Sequence, residues 1–544
     1  MSGTNPSVSS NDNVTITATS PVTRSIISAV FAAVSGNSYT YSNANGTTPS
    51  TPSAGATTFY VAPSSTGNVT IPAGFTQVLI DQTATVTVNG GDAATTVIGD
   101  GFTYAGGAAV VASGRGVAHV TDTAASADLA FGESSTITAL GEGAGQIIQL
   151  GDGGVGSIMS NGSGSTILAG ASSTTTINAL ASGDTVDIGN GAKTTVNLSG
   201  GDTINIGTGA PNSTAAGSAP VSVNSNNGVS GFGSTFNIAA NQTGFATANV
   251  VLQLGKSDTV NVSGGVDSIF GQSSDRVNNV SGSVEFVGQS SASTIFGGTG
   301  QTSVFAFGGG QVFNVGMATQ TSNTNVFVGG SAASTINAGT GGGRFFGGSH
   351  GDLYNIGTSS VQTFVGTGGN DTISGTAGSV APTLFAIGGE HMSLTGTPQI
   401  TVVAFEGSGG STTAGAGGSV DASNTTANNV FFTGYGSTGN ETLIGSTATI
   451  GGAHDIFELG AASLGGAAAS SVPANITINN WHGGDAFFLI GYGAGDTQTM
   501  SAATSVSAQP GAASNLTFTL SDNTKVTFVG NHPTGFNASG NAIF

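Results

Sequence analysis

Of 544 residues, 92 are glycine, about one in six; none is cysteine, and only seven are lysine or arginine. Charged residues make up 6%, against roughly 25% in an ordinary soluble domain. The seven bases (Arg24, Arg115, Lys193, Lys256, Arg276, Arg344 and Lys525) stand singly, so no patch tracks a phosphate backbone, which argues against nucleic acid as a partner. Absent cysteine removes thiolate metal sites and disulfides. A net charge of −20 spread over this length is a thin acidic coat that favours cations as partners. So much glycine, serine and threonine raises the question of disorder. Against it stand an apolar fraction of 37% and a regular recurrence of Val, Ile and Phe. Glycine shows no every-third spacing, so collagen is out.

Residues 1–58 are rich in Ser, Thr, Asn and Pro around the apolar run Ile26–Val34. That run is too short to span a bilayer, and it lies late and lacks the basic leader of a secretory signal. The segment reads as a cap on the repeat region after it or as an arm that pairs with a neighbouring subunit by strand addition. No later window is long and apolar enough to be a transmembrane segment.

From residue 59 to 447 a Thr/Ser–apolar–x–apolar unit recurs. Its clearest copies are Thr176-Ile177-Asn178-Ala179, Thr185-Val186-Asp187-Ile188, Thr195-Val196-Asn197-Leu198 and Thr203-Ile204-Asn205-Ile206, at steps of 9, 10 and 8 residues. Each unit predicts a strand of three or four residues with one apolar face, bounded by Gly, Ser, Asn and Asp turns. Helices are disfavoured, since no 3.6-residue period appears. A strand this short cannot bury its face alone, whereas stacked copies bury a continuous strip. The predicted fold class is therefore all-β, a β-solenoid with two strands to a coil of about 18 to 20 residues. Separate antiparallel sandwiches are the competing architecture; units of about nine residues leave them little room for hairpins.

Several turns place an aspartate two residues before the strand's first apolar residue: Asp184, Asp202, Asp258, Asp267, Asp275 and Asp371. With Gly366-Thr-Gly-Gly369-Asn-Asp371-Thr-Ile373-Ser374 as its best copy, the chain resembles the repeats-in-toxin β-roll family, whose nonapeptide is G-G-x-G-x-D-x-U-x. Thr367 replaces one motif glycine, and most turns carry Ser, Thr or Asn in place of Asp. The resemblance implies Ca2+ held between successive turns by these six aspartates and by turn carbonyls. The alternative is that the aspartates are solvated turn residues bonding nearby backbone, and that Asn, Ser and Thr ladders close the turns without metal.

Residues 448–544 form a third region, read as a C-terminal β cap. Gly451-Gly452-Ala-His454-Asp455-Ile-Phe457-Glu-Leu459 and the Ile476–Asp485 stretch resemble the terminal units of type I-secreted repeats-in-toxin proteins. Residues Asn515–Gly530 read as a hairpin turning at Ser521–Thr524. The resemblance implies export in one step from a Gram-negative cell.

No catalytic constellation stands out. The six histidines are far apart in sequence, and His482 beside Trp481 and Asp485 reads as part of the cap. The sequence therefore leads to the expectation of a non-enzymatic extracellular or cell-surface protein that assembles with itself as a surface layer, filament or biofilm matrix, with Ca2+ stabilisation. An adhesin that binds cell-surface or matrix polysaccharide is the second class, and a polysaccharide-modifying enzyme on a solenoid the third.

Overall fold

The computed structural model describes residues 57–536 apart from short stretches at turns and longer ones at 208–220, 226–232, 240–249, 317–324, 406–417, 462–473 and 508–514, with a few strand residues nearer either terminus. Most of residues 1–58, the run Ile26–Val34 among them, and the Gly451-Gly452 turn lie outside the described residues. Contacts divide the chain into two compact units, Met1–Val284 and Glu285–Phe544. Both are parallel β-solenoids, as the sequence predicts.

In the first unit successive strands alternate between two parallel sheets. Thr166–Ala169, Thr185–Ile188 and Thr203–Ile206 pair in one sheet, and Val155–Ser160, Thr174–Ala179 and Lys193–Leu198 pair in the other. Like residues fall into register, so Ile167, Val186, Ile204 and Phe236 form one interior column. All four are fully buried. Partners one coil apart are commonly 18 or 19 residues apart in sequence. The strands alternate between buried and more exposed positions, as in Thr174–Ala179, because successive side chains point to opposite faces.

The second unit is built the same way with a bulkier interior. Phe313, Phe345, Tyr354 and Phe364 are fully buried. Their rings meet across the two sheets, with centroids 5.2 Å apart for Phe345 and Tyr354 and 5.1 Å for Tyr354 and Phe364. The Tyr354 hydroxyl donates to Gln362 Oε1 at 2.8 Å, so its polar end is satisfied inside the core.

The unit closes with a change of pairing. Lys525–Val529 pairs parallel with Asn475–Asn479 on one side and antiparallel with Leu516–Thr519 on the other. The hairpin turns where the sequence places it, with Asn523 at φ 66°. Trp481, 2% exposed, lies edge-on to Phe528 at 5.2 Å. The helix Ala494–Ser507 is a departure from the sequence reading, which foresees none. Threonine and serine make it a poor helix by propensity. Tertiary contacts hold it instead: Asp496 in its first turn accepts from the Ser521 N–H at 2.6 Å, and Met500 is fully buried. No helix among the described residues is long and apolar enough to cross a membrane.

Truncating one member of the aromatic stack leaves a cavity that neighbouring coils cannot refill. Phe364→Ala should lower unfolding free energy by about 3–5 kcal/mol, read by urea denaturation of the full chain.

Candidate functional site

Five of the six singled-out aspartates share one structural position. Asp184, Asp202, Asp258, Asp275 and Asp371 each immediately precede, or stand near the start of, a strand of the first sheet, at the corner where the coil bends. In four of them the preceding residue is left-handed: Gly183 at φ 83°, Gly201 at 76°, Ser257 at 61° and Ser274 at 57°. Glycine adopts this backbone freely and serine only at a cost, so the Gly-Asp and Ser-Asp pairs mark the bend. The bend turns the aspartate side chain inward. All five are at most 1% exposed, so they are not solvated turn residues.

Each carboxylate reaches along the stack. The N–H of Ser165 donates to Asp184 Oδ1 at 2.8 Å, that of Asp184 to Asp202 Oδ1 at 3.0 Å, and that of Asp202 to Ser234 Oγ at 3.3 Å. Ser234 N–H donates in turn to Asp258 Oδ1 at 2.6 Å, and Asp258 N–H to Asp275 Oδ1 at 3.1 Å. The second oxygen often caps its own turn, as Asp258 Oδ2 does for the Gly255 N–H at 2.7 Å. A corner N–H has no strand partner, so an inward oxygen from the next coil satisfies a buried donor. Asp184 and Asp202 are stacked on one side, as their spacing implies.

The second unit repeats the device with members the sequence reading passes over. Ser334 N–H donates to Asp352 Oδ1 at 2.6 Å, Asp352 N–H to Asp371 Oδ1 at 2.7 Å, and Asp371 N–H to Glu390 Oε1 at 3.2 Å. Asp352 stands two residues before the inward Tyr354, but the apolar Leu353 between them breaks the spacing that identifies the others. The second sheet uses the device near its end, where Asp455 N–H donates to Asp485 Oδ1 at 2.8 Å and the His482 N–H to Asp485 Oδ2 at 2.8 Å. The Trp481–His482–Asp485 group is thus a corner of the cap.

A further ladder runs along the first sheet at half-buried strand positions. Asn205 Nδ2 donates to Asp187 Oδ1 at 2.7 Å, Asn237 Nδ2 to Asn205 Oδ1 at 2.8 Å, and Asn261 and Asn278 continue it at 2.8 Å each. In the second unit Asn314, Asn337 and Asn355 form the same chain. Each interior amide of these ladders, such as Asn205, Asn237, Asn261 and Asn337, gives a proton to one neighbour and accepts from the other. The Asn ladder the sequence suggests is therefore real, on the strands rather than in the turns.

Asp267 belongs elsewhere. It lies within Val266–Gly271 of the second sheet, in register with Val250, and is 1% exposed. Neither of its oxygens makes a hydrogen bond of good geometry among the described residues, and the Val250 backbone offsets its burial only in part.

Burial dominates the electrostatics. It raises the carboxyls of Asp184, Asp275 and Asp267 to about 7. Asp371 rises to about 8, first through burial and then through the neighbouring charges of Glu390 and Asp352. Donated N–H bonds oppose the shift without cancelling it. The Oδ1 atoms of Asp184, Asp275 and Asp371 accept backbone N–H groups, whereas Asp184 Oδ2 and Asp371 Oδ2 are buried without a hydrogen-bond partner among the described residues. Among the described residues no group of three or more His, Asp or Glu is placed to hold a metal ion. An interior Ca2+ needs six or more oxygen ligands, and to bind here it would have to displace the corner hydrogen bonds. What the geometry itself shows is that the inward carboxylates cap backbone donors at the corners.

The raised values set the pH dependence. An unfolded aspartate titrates near 3.8 and the folded ones near 7 to 8. Their stabilising contribution is complete below about 3.8 and is lost as pH rises through 7 to 8. The melting temperature should therefore climb between pH 8 and pH 5, and Asp184→Asn should flatten that slope. Asp267→Val removes a buried carboxylate that the Val250 backbone compensates only in part and should stabilise the chain at pH 8 by about 1–3 kcal/mol, measured by denaturation. A melting temperature that falls steadily from pH 8 to pH 5 would contradict this account of the corner ladder.

Comparison with known protein families, with curated proteins and with solved structures gives no match, so the role of this chain is read from its own geometry.

Proposed function

We propose that this chain is an exported structural protein that assembles with copies of itself at the cell surface or in the extracellular matrix, as a layer, filament or biofilm component. The observation that carries the reading is the amide ladder from Asp187 to Asn278, a repetitive polar strip with one acid at its end. Identical groups repeat along it at about the 4.8 Å spacing of paired strands. A strip of this kind offers a second copy the same contact at many successive coils, and a chain with 6% charged residues offers little like-charge repulsion against it. The resemblance of the C-terminal region to type I-secreted proteins supports export. Calcium enters the proposal as a bridge between acidic surfaces of neighbouring copies, which suits a net charge of −20.

Electron microscopy of the purified full chain tests the reading. Ordered filaments or sheets should form on adding Ca2+ and disperse on chelation. Unassembled particles with and without the ion, at every concentration tried, would refute it.

A further inference from the structure

The second sheet of the Glu285–Phe544 unit carries a feature that self-assembly does not require. Phe305, Val328, Phe346, Val365 and Phe385 succeed one another in strict register on five successive strands. All five are outside the core: Phe346 is 36% exposed and the other four are half-buried. Phe307, 67% exposed, stacks on Phe305 with ring planes 16° apart. Large and small side chains alternate, so a ring recurs every second coil, about 9.6 Å apart at a strand spacing of about 4.8 Å.

Beside Phe346 lies an open trough of about 660 Å³ lined by Val328, Gly330, Ser331, Gly348 and Thr367. Its glycine floor is enforced by packing: a Cβ on Gly330 would sit 1.4 Å from the Ala306 carbonyl oxygen, and one on Gly348 2.1 Å from that of Gly330. The hydroxyls of Ser331 and Thr367 donate to the Gly308 and Gly347 carbonyls, which leaves their oxygen lone pairs as acceptors. Rings, a flat floor and acceptor oxygens therefore lie side by side.

We propose that this face binds a neutral, extended polysaccharide running along the stack, with sugar rings seated on Phe305, Phe346 and Phe385. A β-linked hexopyranose chain presents the same ring face once per disaccharide, a repeat close to two coils. The apolar faces of its sugars stack on aromatic rings, and its hydroxyls meet the Ser331 and Thr367 oxygens. Arg344 is the one charged residue on these five strands. A single cation cannot match a polymer with a negative charge in every repeat, which selects a neutral one. The strip is about 24 Å long and about 13 Å wide, on the order of 300 Å². A stable protein interface takes about 800 Å² from each partner, so a second copy is the poorer occupant. The inference is independent of self-assembly, and glycan retention is read on unassembled protein in chelator.

The test is retention of the full chain on microcrystalline cellulose and on chitin, with affinity electrophoresis in hydroxyethyl cellulose and in alginate. Wild-type protein should be held by at least one neutral β-linked polymer and released by cellohexaose or chitohexaose. Phe346→Ala with Phe385→Ala should weaken retention at least tenfold, and Phe346→Trp with Phe385→Trp should restore it. The tryptophan pair also serves if the alanine pair fails to fold, since retention must then equal or exceed wild type. No retention on any neutral polymer, retention on alginate alone, or retention unchanged in the alanine pair would overturn the proposal. So would a sedimentation dimer that the alanine pair dissolves without any glycan binding, which would assign the face to a second copy.

Discussion

The hydrogen bond from one coil to the next is the constraint on which the rest of this structure depends. Strands as short as these, most of them three to six residues, have no stability of their own. Each becomes a strand because its N–H and C=O groups meet those of the coils before and after it. The strands supply most of these bonds, and the corners are where the pattern would fail. There an inward oxygen from the next coil, carboxylate, hydroxyl or amide, takes the N–H that the bend leaves over. Asp202, Ser234 and Asp258 show that the chemistry of that oxygen is interchangeable while its position is not.

This explains why acids are tolerated in an interior otherwise made of Val, Ile and Phe. Burying a carboxylate is costly, and backbone donors together with an upward shift in its affinity for protons reduce the cost. Where good donors are fewer, as at Asp267, less of the cost is compensated. The two interiors meet the same constraint with different volumes. In one, aliphatic columns such as Ile167–Val186–Ile204 fill the space; in the other, rings such as Tyr354 and Phe364 do, and Gln362 is recruited to satisfy the phenol.

Much of this was legible in the residues alone, for a physical reason. A parallel stack places equivalent residues at equal intervals, so the beat of Ile177, Val186, Val196 and Ile204 is the core itself written along the chain. The hairpin at Ser521–Thr524 was equally open, because a Ser-Asp-Asn turn between two alternating runs is a local signal. The direction in which the corner aspartates point was not legible. In four of the five it goes with a left-handed residue before them, and Gly183 and Ser257 take the same backbone despite different side chains. Asp267 obeys the same spacing as Asp184 and yet lies in the other sheet, since an interval of about nine residues cannot say which of two sheets a strand joins. The outward Phe305–Phe385 column was invisible for the opposite reason: its members are 80 residues apart from end to end and align only once the coils are stacked. The helix Ala494–Ser507 answers to Asp496 and Met500 and their distant partners, not to its own composition.

The Asn205–Asn237 contact spans 32 residues and the Asn261–Asn278 contact 17, yet both measure 2.8 Å. Alignment of the coils is thus indifferent to the amount of chain paid out between them. A lineage carrying such a scaffold can lengthen, shorten or exchange the excursions at its corners while the stack beneath is left untouched. New surface chemistry can be acquired there without renegotiating the fold.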